Sequence, residues 1–210
     1  MIHLSLNNKL KFPSFDTNTD ICSKNCDYAD SKICYARNNP RMRIYLKKKY
    51  ANNEKLLNSK NFVSVIKKEI LLSNFRKVRF FSSGDLYELS HLEKIIQLCQ
   101  ELPKIDFWLS THNDYVLNSY YEFKRNTLDN LNIILSNKAI NQEFPEFLKL
   151  FWNTKNIYTS QTTNKKNKSN CHSSINHESC GSCENCFNKM NITYFLHGKY
   201  AEKRLKEYEK

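Results

Sequence analysis

Residues 78–113, VRFFSSGDLYELSHLEKIIQLCQELPKIDFWLSTHN, change hydrophobic period twice, and that change sets the fold class. Val78 to Phe81 is a short apolar run that stops at Ser82, Ser83, Gly84 and Asp85, the pattern of a buried strand running into a polar turn. HLEKIIQLCQEL then carries apolar residues at helical spacing, with Ser90 as the predicted N-cap and Glu93 completing a capping box three residues on. Pro103 ends the helix, and Asp106 to Ser110 returns to strand before Thr111, His112 and Asn113. A strand, a helix and a second strand in this order imply a crossover connection, and so parallel pairing.

The same alternation extends in both directions. Upstream, residues 41–57 and 62–72 read as amphipathic helices. Downstream, Asn132 to Leu135 is a third strand ending at Ser136 and Asn137, followed by a helix through PEFLKLFWN. Ile157 to Thr159 is a fourth strand, running into Ser160, Gln161 and Thr162; Ile192 to Leu196 is a fifth, closed by His197 and Gly198. A helix over 199–210 completes the chain, and Leu4 to Leu6 or Leu10 to Phe12 supplies the opening strand. The expected fold is α/β, an open sheet or partial (β/α) barrel of about six units. Residues 1–161 and 191–210 form its core, and 162–190 form a cysteine-rich metal-binding loop.

Position gives the polar residues their meaning. Ser83, Gly84, Asp85, Thr111, Ser136 and Gln161 fall where strands end, and in parallel α/β folds the C-terminal strand ends form the active face. His112 and His197 stand at the same level as candidate proton-transfer groups. Only three glycines occur in 210 residues, and all three adjoin candidate site residues. Cys99 and the aromatic residues Phe80, Phe81, Phe107, Trp108 and Phe195 follow core patterns.

The other seven cysteines fall in two groups. Cys22, Cys26 and Cys34 are spaced C-x3-C-x7-C; Cys171, Cys180, Cys183 and Cys186 are spaced C-x8-C-x2-C-x2-C. The opening MIHLSLNNKLKF has no apolar signal core, so reduced thiols in a cytosolic protein are expected, and such thiols at these spacings hold metal. Three thiolates suit a 4Fe-4S cluster with one open iron; a zinc shell would need a fourth ligand such as His3, His91 or a cysteine of the other group. Four thiolates in the second group suit an iron–sulfur cluster or zinc, with His172 or His177 as substitute zinc ligands.

A formal charge of +12 permits a polyanionic partner. Basic residues concentrate at 37–49 (RNNPRMRIYLKKK) and 165–168 (KKNK), each beside a cysteine group, and are the expected contacts to nucleic acid. No apolar run is long enough to span a bilayer.

Taken together, the early cysteines ending in CYA (34–36), the 78–113 segment and the late cysteine run resemble the gene product 88 family of phage proteins and its radical S-adenosylmethionine (SAM)-like relatives. The resemblance implies a partial (β/α) barrel with a 4Fe-4S cluster at its mouth, in the host cytoplasm. By that resemblance Cys22, Cys26 and Cys34 ligate three irons and the fourth iron chelates the amino and carboxylate groups of SAM. Gly84 lets the backbone approach the ligand, Asp85 accepts from its ammonium group, and Thr111, Ser136 and Gln161 face ribose or substrate. Radical SAM enzymes usually show C-x3-C-x2-C, whereas seven residues separate Cys26 from Cys34 here, and Tyr35 follows the last cysteine. The chain is short for that class, so a protein partner or nucleic acid is expected to help close the barrel. The rival reading is a non-catalytic zinc-bearing module that binds nucleic acid.

Overall fold

The structure is a computed structural model that describes residues 3–6, 11–22, 34–38, 44–123, 128–176, 179–180, 183–196 and 206. Its centre is a seven-stranded sheet in simple sequential order: β1 (Ser5–Leu6), β2 (Pro13–Phe15), β3 (Lys77–Phe80), β4 (Asp106–Thr111), β5 (Leu131–Ile140), β6 (Ile157–Thr163) and β7 (Ile192–Phe195). β1 pairs antiparallel with β2, and every later neighbour is parallel. Six parallel strands in chain order mean crossovers that all advance the same way, and crossovers of one hand then stack their helices on one face.

The burial pattern bears this out. Phe80, Phe107, Leu109, Ile133, Leu135 and Ile157 share one hydrophobic cluster with residues from α2 (Lys47–Asn58), α3 (Phe62–Ser73), α4 (Leu89–Glu101), α5 (Asp114–Phe123) and α6 (Glu146–Asn153). Trp108, Ile134 and Ile192, which alternate with that set along their strands, belong to a second cluster with Phe12, Cys171, Cys180, Cys186 and Phe187. The helices therefore cover one face, and the segment between β6 and β7 covers part of the other.

Local sequence explains the helix ends. In α3, Phe62, Val63, Ile66 and Ile70 form the buried stripe, and Asn74 terminates the helix in the left-handed region at φ 56°. In α4, Leu92, Ile95, Ile96, Leu98 and the fully buried Cys99 point inward. Its last carbonyls are satisfied by Asn130, whose Nδ2 donates to Cys99, Leu102 and Ile105 oxygens at 3.0–3.1 Å.

Several expectations need correction. The opening strand stands at Ser5–Leu6, within the expected Leu4 to Leu6, but runs antiparallel; the first parallel strand is Pro13–Phe15, just past Leu10 to Phe12, where proline is tolerated as the first residue of the strand. Ser90 is not the N-cap of α4. Glu88 holds that position with extended backbone and no side-chain cap, and the Ser90 hydroxyl instead donates to Glu88 Oε2 at 3.2 Å. Strand β3 ends at Phe80, because Phe81 takes φ 61° and turns the chain. β5 and β6 run on to Ile140 and Thr163, so Ser136, Asn137, Ser160 and Gln161 lie within strands; the pairing shifts register between Ser136 and Ile140. The terminal helix expected over 199–210 falls outside the described residues except for Lys206, as do residues 41–43 of the first predicted helix.

Candidate functional site

At the C-terminal ends of β2 and β3 the chain builds a buried polar knot around Asp16. Its Oδ1 accepts from the Ser82 amide and hydroxyl, both at 2.7 Å, and from the Ser83 amide at 3.2 Å; Oδ2 accepts from the Ser14 hydroxyl at 2.7 Å. From α2, the buried Asn53 amide donates to the Asp16 carbonyl at 2.8 Å and to the His3 carbonyl at 3.0 Å. Parallel strands leave orphan donors where their ladder stops, and one carboxylate supplies acceptors for several of them. Gly84 follows at φ 83°, pressed so close to Thr17 that a Cβ would meet Thr17 Oγ1 at 1.9 Å.

The next junction is organised by Asp85. Its Oδ1 accepts from the Thr111 hydroxyl at 2.5 Å and the Leu86 amide at 2.7 Å, and its Oδ2 accepts from the His112 amide at 3.1 Å. The carboxylate is 2% exposed, so its lone pairs serve the β3 and β4 exits. His112 Nδ1 stands 3.6 Å from Oδ2 with its ring partly in solvent. Asn113 closes the turn, donating to the Leu86 carbonyl at 3.0 Å and accepting from the Val116 amide at the start of α5.

Across β4, β5 and β6 a row of hydroxyls crosses the face opposite the helices: Ser110 to Ser136 and Ser136 to Ser160, each at 3.0 Å. Gln161 Nε2 donates to Thr193 Oγ1 at 3.3 Å. Ser83, Gly84, Asp85 and Thr111 are thus brought together at the strand ends, Ser136 belongs to the hydroxyl row beside them, and Gln161 is tied to β7.

Of the first cysteine group, Cys22 ends a short 3-10 turn (Thr19–Ile21) that follows Asp16 to Asn18 out of β2. Cys34 precedes α1 (Tyr35–Asn38), and its sulfur accepts from the Arg37 amide at 3.4 Å. Cys26 lies outside the described residues, and so do His197 and Gly198. Soft sulfur donors and an N–H···S bond fit an iron–sulfur cluster. The other proposed ligands are engaged elsewhere: His3 Nδ1 lies 2.6 Å from Glu69 Oε1, and buried His91 bonds Asn58 at 2.8 Å from α4.

The second group surrounds one small void of about 20 Å³, lined by Cys171, Cys180, Cys183 and Cys186 with Phe12, Trp108 and Phe187 among its walls. All four are free thiols. Burial pushes the Cys171 thiol up and the Cys186 thiol up to about 12. Among the described residues no three His, Cys, Asp or Glu side chains are already drawn together as a metal-binding set. The fit to a metal rests on the donor chemistry and the shared void: four sulfurs line it together, with Glu184 as the one carboxylate residue among its walls.

Of the basic stretches, Lys47 and Lys48 are exposed, whereas Lys49 donates to the Leu4 carbonyl at 2.8 Å and burial lowers its pKa. Lys165, Lys166 and Lys168 are exposed on the turn leading to Cys171, with Lys168 3.7 Å from Glu143. No helix among the described residues is long and apolar enough to cross a membrane.

Sequence reasoning missed Asp16, Asn53, Ser14 and Ser110. The signal for Asp16 was present in PSFDTNTD, where an apolar triplet ends in Asp as the 78–85 segment ends in Asp85, but the short strand concealed it. The family model described as gene product 88 matches residues 5–206. No curated protein matches the chain, and no solved structure does.

Proposed function

We propose a function for a chain that belongs to the gene product 88 family: it is an iron–sulfur enzyme of radical-SAM-like partial-barrel architecture, acting in the host cytoplasm on an unidentified substrate, of which nucleic acid is one candidate. Cys22, Cys26 and Cys34 hold a 4Fe-4S cluster over the strand-end face, and a second centre uses Cys171, Cys180, Cys183 and Cys186. The observation that carries the reading is the exit of β2. Within seven residues it delivers Asp16, which fixes the Ser82–Ser83 turn, Thr17, which packs on Gly84, and then Cys22.

Bound there, the cluster and SAM supply a reducing electron and a hydrogen-abstracting carbon centre. The protein's own residues prepare the place. Gly84 lets the β3 exit close onto Thr17, which shapes the turn that leads into Asp85. Asp85 holds the His112 amide and the Thr111 hydroxyl, so it sets the position of the His112 ring, which has the exposure to exchange a proton with substrate. Ser110 and Ser136, the partly exposed members of the hydroxyl row, offer hydroxyls to ribose or substrate, and buried Ser160 anchors the row.

The test is iron and acid-labile sulfide content with SAM binding, measured anaerobically for the native chain and for a Cys22→Ala, Cys26→Ala, Cys34→Ala variant. The reading expects the variant to lose about four irons and all SAM affinity. Equal iron in both proteins, or no SAM binding by either, rejects it. A zinc-bearing nucleic-acid module is favoured by one observation, the exposed Lys165 and Lys166 on the turn that leads to Cys171. That reading expects stoichiometric zinc, no iron, and a salt-dependent affinity for nucleic acid.

A further inference from the structure

Three residues in register across the sheet grip the four-cysteine segment. Arg79 pairs with Trp108, and Trp108 with Asn132, so the three form one row over β3, β4 and β5 on the face away from the helices. Asn132 Nδ2 donates to the Cys186 carbonyl at 2.6 Å. The Trp108 ring is a wall of the four-thiol void and meets Phe187 and Phe12 edge-on at 6.0 and 6.4 Å. The Arg79 guanidinium carbon lies 4.1 Å from the Trp108 ring centroid, and one of its nitrogens donates to the Phe81 carbonyl at 3.4 Å.

Charge gives this row its purpose. Four thiolates around a divalent ion carry a net charge of about −2, and the void is walled largely by Phe12, Trp108, Phe187 and Ile192, with Glu184 adding a further negative charge. A fixed cation beside the thiolates would offset part of this charge. Lys77 is already engaged by Glu184 in an ion pair. Arg79 is permanently charged and lies on the same sheet face, its guanidinium carbon 4.1 Å from the ring centre of Trp108, which walls the void.

We propose that Cys171, Cys180, Cys183 and Cys186 form one metal–thiolate centre built onto the sheet face away from the helices, and that Arg79, held over the Trp108 ring, is its counter-cation. The inference rests on the second centre of the proposed function and is independent of the strand-end cluster. Arg79 acts through the field on the ligands, and Asn132 fixes the loop that carries Cys186.

The experiment isolates this centre. The full chain carrying Cys22→Ser, Cys26→Ser and Cys34→Ser is stripped of metal and titrated with cobalt(II), whose sulfur-to-metal charge-transfer absorption reports thiolate ligation. The expected result is one cobalt per chain, with affinity weakened about 10- to 100-fold by Arg79→Gln and retained within about threefold by Arg79→Lys. The proposal is overturned by absence of cobalt–thiolate absorption, by unchanged affinity in Arg79→Gln, or by equal weakening in both variants, which would mark packing as the cause. If Arg79→Gln does not fold without metal, Arg79→Lys decides alone: a loss of about tenfold or more rejects the counter-cation. Loss of SAM binding in the native chain with this cobalt pattern intact would sink the enzyme reading and leave this centre standing.

Discussion

Gly84 and Thr17 are in contact so close that no side chain fits between them: a Cβ on Gly84 would lie 1.9 Å from Thr17 Oγ1 and 3.0 Å from the Thr17 carbonyl oxygen. With φ at 83°, the backbone is also in a region that L-residues with side chains avoid. Gly84→Ala is expected to cost about 2–4 kcal/mol through backbone strain plus overpacking, read as a lower urea midpoint. In a Thr17→Ala background the cost falls by about 1 kcal/mol or more, because the hydroxyl clash is gone. Strict additivity of the two substitutions would show that the contact is not what excludes a side chain.

Asp16 binds the exits of β2 and β3 into one unit. Asp16→Ala strands two buried amides and two hydroxyls, and is expected to destabilise the fold by about 3–5 kcal/mol in equilibrium denaturation. A cost below about 1 kcal/mol would mean that water replaces the carboxylate without loss, and that the knot does not position the site.

His91 makes stability depend on pH. Burial holds its pKa below the ordinary 6.5, with the Glu88 charge opposing and Lys94 assisting. The unfolded chain therefore takes up a proton near pH 6.5 that the native chain refuses. Stability from this group is complete above that pH and is lost as pH falls from 6.5 towards the lower native value. Unfolding free energies measured at several pH values through this window should fall less steeply for His91→Gln than for the native chain. Parallel curves would remove His91 from the pH response.

Cys99 is fully buried, and burial pushes its thiol pKa well above the usual value. It should resist iodoacetamide in the folded chain at about pH 8 and react fully in denaturant, as peptide mapping would reveal. Alkylation of Cys99 at the rate of an unfolded thiol would mean that α4 opens readily.

The alternation of strands and helices was legible because each crossover helix needs one apolar stripe, as in Phe62 to Ile70, and each central strand a short, mostly apolar run, as in Val78 to Phe81, where Arg79 alone is polar. Strand ends were less legible. β5 and β6 continue through Ser136 to Ile140 and Ser160 to Thr163, where polar side chains look like loop but face one another across the sheet in hydrogen-bonded rows. The Ser90 capping box failed for a related reason: local pattern marked a start, but the chain from Asp85 to Glu88 enters the helix in extended form. Of the candidate site, Ser83 to Asp85 and Thr111 to Asn113 were legible because they end strands in the 78–113 segment. Asp16 and the Arg79–Trp108–Asn132 row were not, because their roles depend on register between strands, which no single segment records.

The central claim of the proposed function is that Cys22, Cys26 and Cys34 hold a cluster with an open iron. The most direct test is the EPR spectrum of anaerobically purified, dithionite-reduced protein, recorded with and without SAM beside iron, sulfide and zinc analysis. The account predicts about four or eight irons per chain and a reduced-cluster signal that SAM perturbs. Stoichiometric zinc without iron, or a cluster signal indifferent to SAM, would contradict it.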